Sequence, residues 1–449
     1  MTDKDDILAA LAQVKDPDLG RDIVALGFVK DLRVCGTHAA FTLELTTPAC
    51  PVRETLKEEA RRAVLSVSGI TQVEVTLTAQ VRPSRRPADT LLPHVKHLIA
   101  IGSGKGGVGK STISSNVAVA LAKLGAKVGL MDADIYGPSI PRLMGAYETE
   151  QTQQGRLFPA LAHGVKVISM GMLQPKGEAV LWRGPMLAKM IDEFLGNVEW
   201  GELDYLIIDL PPGTGDVSLS LCQKVPLSGA AIVSTPQDLA FEIAQKALQL
   251  FQKLRTPVLG LIENMSGFTC SHCGTHEDIF GLGNTETQAR ALGLPFLGKV
   301  PLTHDLCRYS DQGLPIVTAA PDSPAAQALL HVAENLVAEV SRLALGESAQ
   351  RPCPQKVALS LDQRQLQIIW NDGEPTRFEA VDLRYACRCA RCVSETSGKR
   401  TLVRSDISAD LRVLAADQVG HYALRLRFSD QHDQGLYTYD YLRELMTYA

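Results

Sequence analysis

The chain lacks the features that would place it in or across a membrane. No apolar run approaches the ~20 residues of a spanning helix. The opening Met1-Thr2-Asp3-Lys4-Asp5-Asp6 is acidic, without the cationic-then-apolar profile of a secretory leader. A basic region is missing too: the net charge is −5 and 21% of residues are charged, which argues against nucleic acid as a partner. The evenly spaced cysteines of a disulfide framework are also absent. The ten cysteines include two tight clusters, which in a cytoplasmic protein favours metal chemistry. These absences predict a soluble cytoplasmic protein with no membrane and no nucleic-acid partner. Its 449 residues, 45% of them apolar, give room for about three domains.

What is present centres on Gly102-Ser103-Gly104-Lys105-Gly106-Gly107-Val108-Gly109-Lys110-Ser111-Thr112. An apolar strand, His97 to Ile101, leads in. A helix follows from Ser111 to Leu124, with Ile113, Val117, Val119, Leu121 and Leu124 at helical spacing and Gly125 as its stop. Strand, glycine-rich turn and helix is the context of a phosphate-binding loop, and Gly104-xxxx-Gly109-Lys110-Ser111 fits the Walker A pattern. Such glycines let backbone N–H groups curl around phosphate oxygens at a helix N-terminus. Residues Gly104, Lys105, Gly106, Gly107, Val108, Gly109, Lys110, Ser111 and Thr112 are therefore the expected nucleotide site, with Lys110 on the terminal phosphates and Ser111 on Mg²⁺. A second lysine, Lys105, is not needed for this; alone it reads as a solvated loop residue.

From His94 to about Leu345 strands alternate with helices, predicting an α/β fold with a mostly parallel sheet flanked by helices. Strands are expected at Lys127–Met131, Tyr205–Ile208, Ala230–Ser234 and Val258–Ile262, and helices near Leu239–Leu254 and Ala325–Leu343. Ligands of such sheets gather beyond the C-terminal strand ends. There lie Asp132-Ala133-Asp134 and Asp209-Leu210-Pro211-Pro212-Gly213-Thr214-Gly215-Asp216. Asp209 holds the Walker B position, reaching Mg²⁺ through water. Any single aspartate is ordinarily a helix cap; four at strand ends beside a Walker A loop argue for a nucleotide site.

Residues 1–82 read as a small α+β domain: a helix at Asp6–Val14, strands at Phe28–Val34, His38–Leu45 and Gln72–Thr78, and a helix from about Arg53 to Ser66. Cys50 falls near that helix's start, where the dipole favours a thiolate; the plainer reading is a small loop residue. Residues 83–93 and 346–355 are proline-rich or polar linkers. Cys270-Ser271-His272-Cys273 follows the Asn264 segment, and such a pair supplies two of the four ligands that a [4Fe–4S] cluster or Zn²⁺ wants. A two-fold homodimer would complete it. Half a zinc ribbon using His272 or His276 and a thiol redox pair remain open. Cys222 and Cys307 read as isolated buried thiols. Residues 356–449 are β-rich, with strands at Val357–Leu361, Leu366–Trp370 and Tyr422–Phe428 and an Asn371-Asp372-Gly373 turn. They hold Cys387, Cys389 and Cys392, three thiols suited to structural Zn²⁺ with one more ligand, or to a second cluster.

Several motifs resemble known families. The loop with Lys105 resembles the deviant Walker A of MinD/ParA-type ATPases. That resemblance implies that Lys105 reaches across a homodimer to the partner's nucleotide and that Asp134 positions the attacking water. It further implies that Asp216 sits in a switch loop, with Asp132 orienting the same region, and that Asn264 contacts adenine. Asp16-Pro17-Asp18, Asp22-Ile23-Val24, Leu26-Gly27 and Pro48-Ala49-Cys50-Pro51 resemble the MIP-type domain of iron–sulfur assembly proteins, in which this cysteine is functional. With Asp134-Ile135-Tyr136-Gly137-Pro138-Ser139 and Trp182-Arg183-Gly184-Pro185-Met186, residues 5 to 345 resemble the Mrp/ApbC branch, the iron–sulfur cluster carrier ATPases. The tail resembles the N-terminal domain of γ-butyrobetaine hydroxylase, which implies a Cys₃His zinc site completed by His432 rather than His421.

The expectation is a P-loop ATPase at 94–345, with slow hydrolysis. It binds ATP and Mg²⁺, carries a labile [4Fe–4S] cluster on Cys270 and Cys273 at a homodimer interface, and delivers it to apo-proteins. A partition- or septum-type switch would want a basic surface or a C-terminal amphipathic helix. The ending Tyr437-Thr438-Tyr439-Asp440-Tyr441-Leu442-Arg443-Glu444-Leu445 is short and not basic. A metal-free small-molecule kinase shares the P-loop and is the third class.

Overall fold

A computed structural model describes residues 4–17, 19, 21–83, 91–135, 137–151, 155–173, 184–213, 215–269, 273, 275–281, 283–346, 354–370, 375–389, 391–393, 400–419, 423–433 and 435–446. Cys270, His272, His421 and the Asn371–Gly373 turn lie outside them. One compact unit contains the first segment and the P-loop region up to residue 345; a second is formed chiefly by residues 346–449.

The large unit is organised by a nine-stranded sheet. Its strands run in the order His276–Glu277, Val258–Thr269, Gly229–Ser234, Val95–Ser103, Leu203–Asp209, Val128–Asp132, Val165–Ser169 and Ala160–Ala162, with Phe296–Leu302 also paired to Val258–Thr269. Neighbours pair in parallel except at the two outermost positions, where Ala160–Ala162 and His276–Glu277 are antiparallel. The inner strands are near-continuous apolar runs because helices cover both faces. In Val95–Ser103 every residue but Lys96 is buried. Helix Lys110–Lys123 is itself sunk in the core, with Ile113, Val117, Ala118 and Leu121 fully enclosed. Gly125 ends it at φ +99°, a left-handed turn that side chains resist.

The first segment has helix Lys4–Leu11, strands Val29–Cys35, His38–Leu45 and Gln72–Ala79, and helix Arg53–Leu65. His38–Leu45 alternates buried and half-buried residues, as its period-2 sequence requires. Its core holds Ile7, Phe28, Phe41, Leu43 and Leu56. This module is seated on the sheet. Tyr205 Oη donates to Thr47 Oγ1 at 3.0 Å, and Ala49 and Val81 belong to the P-loop core. His97 stacks on Tyr205 at 5.6 Å and bridges the Arg82 carbonyl (2.8 Å) to Ser228 Oγ (3.1 Å).

The C-terminal unit has two three-stranded antiparallel sheets: Pro354–Leu359, Gln365–Trp370 and Pro375–Glu379; and Val413–Val419, Ala423–Phe428 and Gly435–Thr438. Helices Ala380–Ala386 and Tyr439–Met446 accompany them. Trp370, Phe428, Tyr437 and Leu426 form a core that also encloses Cys387 and Cys392.

Candidate functional site: a P-loop, the strand that leads to Cys270, and a Cys₃His cluster

The phosphate loop leaves strand Val95–Ser103 and enters helix Lys110–Lys123 through Gly109, held at φ +81°. Two glycines here are dictated by close approach. A Cβ on Gly104 would stand 2.4–2.6 Å from the backbone of Ile243 and Ala244, and one on Gly109 would stand 2.2 Å from Asn264 Nδ2. Lys110 and Asp209 form a buried ion pair, Nζ to Oδ2 at 2.7 Å, with side chains 6% and 0% exposed. Ser111 Oγ donates to Asp209 Oδ2 at 2.7 Å and Ser114 Oγ to Oδ1 at 2.6 Å. The Walker A lysine and hydroxyl thus converge on the Walker B carboxylate. Ser114, one helical turn beyond Lys110, escaped the sequence reading; its spacing on the same helix face was the available signal.

Asp132 and Asp209 are register partners on adjacent parallel strands, and Ser169 is the register partner of Asp132 on its other side. Burial pushes the Asp132 carboxyl up to about 8, and the Asp209 charge adds to the rise. Ser169 Oγ donates to Asp132 at 2.8 Å. Asp132 in turn accepts from the backbone N–H of Asp134 (3.0 Å) and of Ile140 (3.3 Å), so it holds the shape of the chain after its strand. Asp134 is half-buried, and its Oδ1 accepts from the Gly137 N–H at 3.3 Å. Asp216 opens helix Asp216–Lys224; its side chain lies outside the described set. Gly213 N–H donates to the Ser103 carbonyl at 2.8 Å, pinning the loop after Asp209 beside the P-loop. Lys105 is exposed, as are Gly106 and Gly107, while Val108 is buried and Thr112 half-buried.

Asn264 is buried, and its Nδ2 donates to the Val108 carbonyl at 2.9 Å, joining the P-loop to strand Val258–Thr269. That strand runs further than its apolar part predicts. Phe268 pairs with Leu302 in parallel and with Glu277 in an antiparallel hairpin, and Thr269 pairs with His276. The Cys-x-x-Cys thiols lie in the sequence between Thr269 and His276; Cys273 is exposed, 3.2 Å from Thr275 Oγ1. Cys50 is half-buried, and its carbonyl accepts from the Arg53 N–H that opens helix Arg53–Leu65. Cys222 is buried as expected, but Cys307 is exposed: on the short helix His304–Asp311 it is the adjoining Leu306 that turns inward.

In the C-terminal unit the ligand atoms of Cys387, Cys389, Cys392 and His432 lie within 4.8 Å of one another. His432 Nε2 is 3.3 Å from Cys387 Sγ and 3.7 Å from Cys389 Sγ. Tetrahedral zinc with its usual bond lengths places sulfur and nitrogen ligands about 3.6 Å apart, so the donor set fits that ion. Burial pushes the Cys387 thiol up to about 12. Cys389 is partly buried, which opposes ionisation, yet it is drawn below the usual thiol range, with the Arg391 N–H and the neighbouring thiols favouring the thiolate. Burial, then the Arg384 charge, lowers His432, keeping its ring neutral and able to ligate. Arg384 donates to Cys392 Sγ at 3.1 Å and to Asp430 at 2.7 Å, orienting the cluster from behind. Arg384 was not anticipated, although it lies one helical turn before Cys387.

A family model described as NUBPL iron-transfer P-loop NTPase matches residues 94–337. One described as iron–sulfur cluster assembly protein matches residues 4–77, and one described as γ-butyrobetaine hydroxylase-like, N-terminal, matches residues 357–443. The iron–sulfur cluster carrier protein of Deinococcus radiodurans is 47% identical over 347 residues, covering 76% of this chain and 97% of that protein. The chloroplastic Fe–S cluster assembly factor HCF101 of Arabidopsis thaliana is 35% identical over 456 residues, covering 99% of this chain and 83% of that protein. Among solved structures, an ADP-bound nucleotide-binding protein of Archaeoglobus fulgidus is 43% identical, with a TM-score of 0.45, covering 49% of this chain and 88% of that one. A buried lysine–aspartate pair under a glycine loop, and a sequence alike over almost its whole length, lead to one conclusion: the chain belongs to the NUBPL-type iron-transfer P-loop NTPases, the family of the iron–sulfur cluster carriers.

Proposed function

We propose that this chain is an ATP-driven carrier of a labile [4Fe–4S] cargo, held between the Cys270/Cys273 pairs of two copies and passed to apo-proteins. The observation that carries this reading is the Asn264–Val108 hydrogen bond. It ties the phosphate loop to the strand that runs on to Thr269, next to the first of the two thiols. Nucleotide and cargo are thereby addressed by one continuous piece of backbone.

In this reading the P-loop glycines and Val108 cradle ATP. Lys110 leaves Asp209 for the terminal phosphates, and Ser111 with Asp209 holds Mg²⁺. Exposed Lys105 reaches the nucleotide of the partner copy, Asp134 places the attacking water, and Asp132 and Asp216 shape the loops that respond. Hydrolysis is slow because opening the buried Lys110–Asp209 pair and closing two copies limit each cycle. Cys50 is a further reactive thiol of the first domain. Zn²⁺ on Cys387, Cys389, Cys392 and His432 would serve as a crosslink for the C-terminal unit. The protein works in the cytoplasm, without nucleic acid or membrane.

Anaerobic reconstitution followed by iron, sulfide and mass measurement tests the reading. Wild type should carry about one [4Fe–4S] cluster per two chains. Cys270→Ser and Cys273→Ser should lose it while still binding ATP. Wild-type iron content in either variant, or a fully loaded single chain, overturns it.

A further inference from the structure

Next to Asn264 lies a residue that the nucleotide site does not use. Glu263 is fully buried, flanked in the sheet by Ser234 and Lys299, its register partners on either side. Both carboxylate oxygens are engaged, by one residue ahead of the Cys270–Cys273 segment in the chain and one well after it. Ser266 Oγ donates to Oε1 at 2.6 Å. The Thr285 N–H donates to Oε2 at 3.3 Å. Gly283 comes so close that a Cβ there would stand 2.5–2.6 Å from the carboxylate oxygens. Between Glu263 and Ser266 the chain turns through Met265 at φ +58°, a left-handed conformation costly for a side chain. A buried carboxylate held by two neutral donors is expensive unless its geometry is fixed. Here that geometry gathers the chain before Cys270 and the helix start after Cys273 onto the residue adjoining the P-loop contact.

We infer that Glu263 is a positioning residue: it ties the strand that leads to Cys270, at Ser266, to the helix start that follows Cys273, at Thr285, and transmits nucleotide-driven movement of Asn264 to the thiols. This inference rests on the carrier reading only for the identity of the cargo, since the clamp itself concerns the thiols. When nucleotide pulls on the Val108–Asn264 bond, the strand moves with Glu263, and Ser266 and Thr285 follow together. With the clamp released, the two segments relax separately.

The test uses full-length, metal-free protein and follows alkylation of Cys270 and Cys273 by mass spectrometry, with and without Mg²⁺ and a non-hydrolysable ATP analogue. In wild type the nucleotide should change the alkylation rate at least about fivefold, the low end of ordinary coupling between sites. In Glu263→Met, which offers an oxygen to neither donor, the ratio should fall to within about twofold of unity while the protein still binds the analogue. Ser266→Ala keeps Glu263 and loses one arm, so it should give an intermediate ratio; it also guards against misfolding in the first variant. A wild-type ratio in both variants, or no nucleotide effect in wild type, overturns the clamp. Cluster release to a chelator, run in parallel, separates the two ideas: a wild type that couples thiols to nucleotide but holds no cluster leaves the clamp standing and removes the carrier reading.

Discussion

Lys110→Met is the most informative single perturbation of this protein, because of what it leaves behind. The ammonium sits 2.7 Å from Asp209 Oδ2, and Asp209 is wholly buried, with Asp132 level with it on the next strand. At an effective dielectric of about 20, a pair at this distance gains roughly 6 kcal/mol of gross Coulomb attraction, partly offset by desolvation. Removing the cation strands a buried carboxylate beside a second acid. Breaking such a pair costs about 3–5 kcal/mol. For a domain of this size that lowers the melting temperature by about 6–20 °C. Adding Asp209→Asn should recover most of the loss, since the stranded charge disappears. Hydrogen exchange over the Leu203–Asp209 strand, with thermal melts of wild type, single and double variants, gives the answer. Equal destabilisation in the single and double variants would refute the reasoning: the cost would then come from lost packing and not from an orphaned charge.

Other predictions follow from the same geometry. Gly104→Ala drives a methyl into the Ile243–Ala244 backbone, so nucleotide affinity should fall at least about tenfold, measured by calorimetry, with a stability loss of about 1–3 kcal/mol. Asp132 binds its proton more tightly folded than unfolded, so between about pH 4 and pH 8 its contribution to stability declines as pH rises. Asp132→Asn should flatten that slope in melts recorded across the range, and an unchanged slope would place the titration elsewhere. Elemental analysis should find about one zinc per chain in anaerobically purified wild type and none in Cys387→Ala; chelation should selectively loosen residues 357–443 in hydrogen exchange.

Legibility followed locality. The Val95–Ser103 strand, the P-loop and helix Lys110–Lys123 could be read because each is written in contiguous residues, and His38–Leu45 was legible to its ends. Strand Val258–Thr269 was cut short at Ile262 because Glu263 to Gly267 is polar and glycine-bearing; its pairing with Phe296–Leu302 comes from far along the chain. Phe296–Leu302 itself, broken by Gly298 and Pro301, carries little strand signal. The Lys110–Asp209 and Asp132–Ser169 contacts depend on which strands are neighbours, a matter of topology that no local pattern encodes. His432 stands 3.3 Å from Cys387 Sγ and 3.7 Å from Cys389 Sγ, a closeness between residues far apart in the chain that spacing does not encode.

The Thr47–Tyr205 seam has a practical consequence for anyone cutting the chain. Expressing the ATPase region alone would uncover a buried tyrosine at the foot of the central sheet, together with the apolar sockets filled by Ala49 and Val81. A truncation before residue 94 should therefore aggregate unless the apolar residues it exposes are replaced by polar ones. The first module is built in as a floor, not hung on as an accessory.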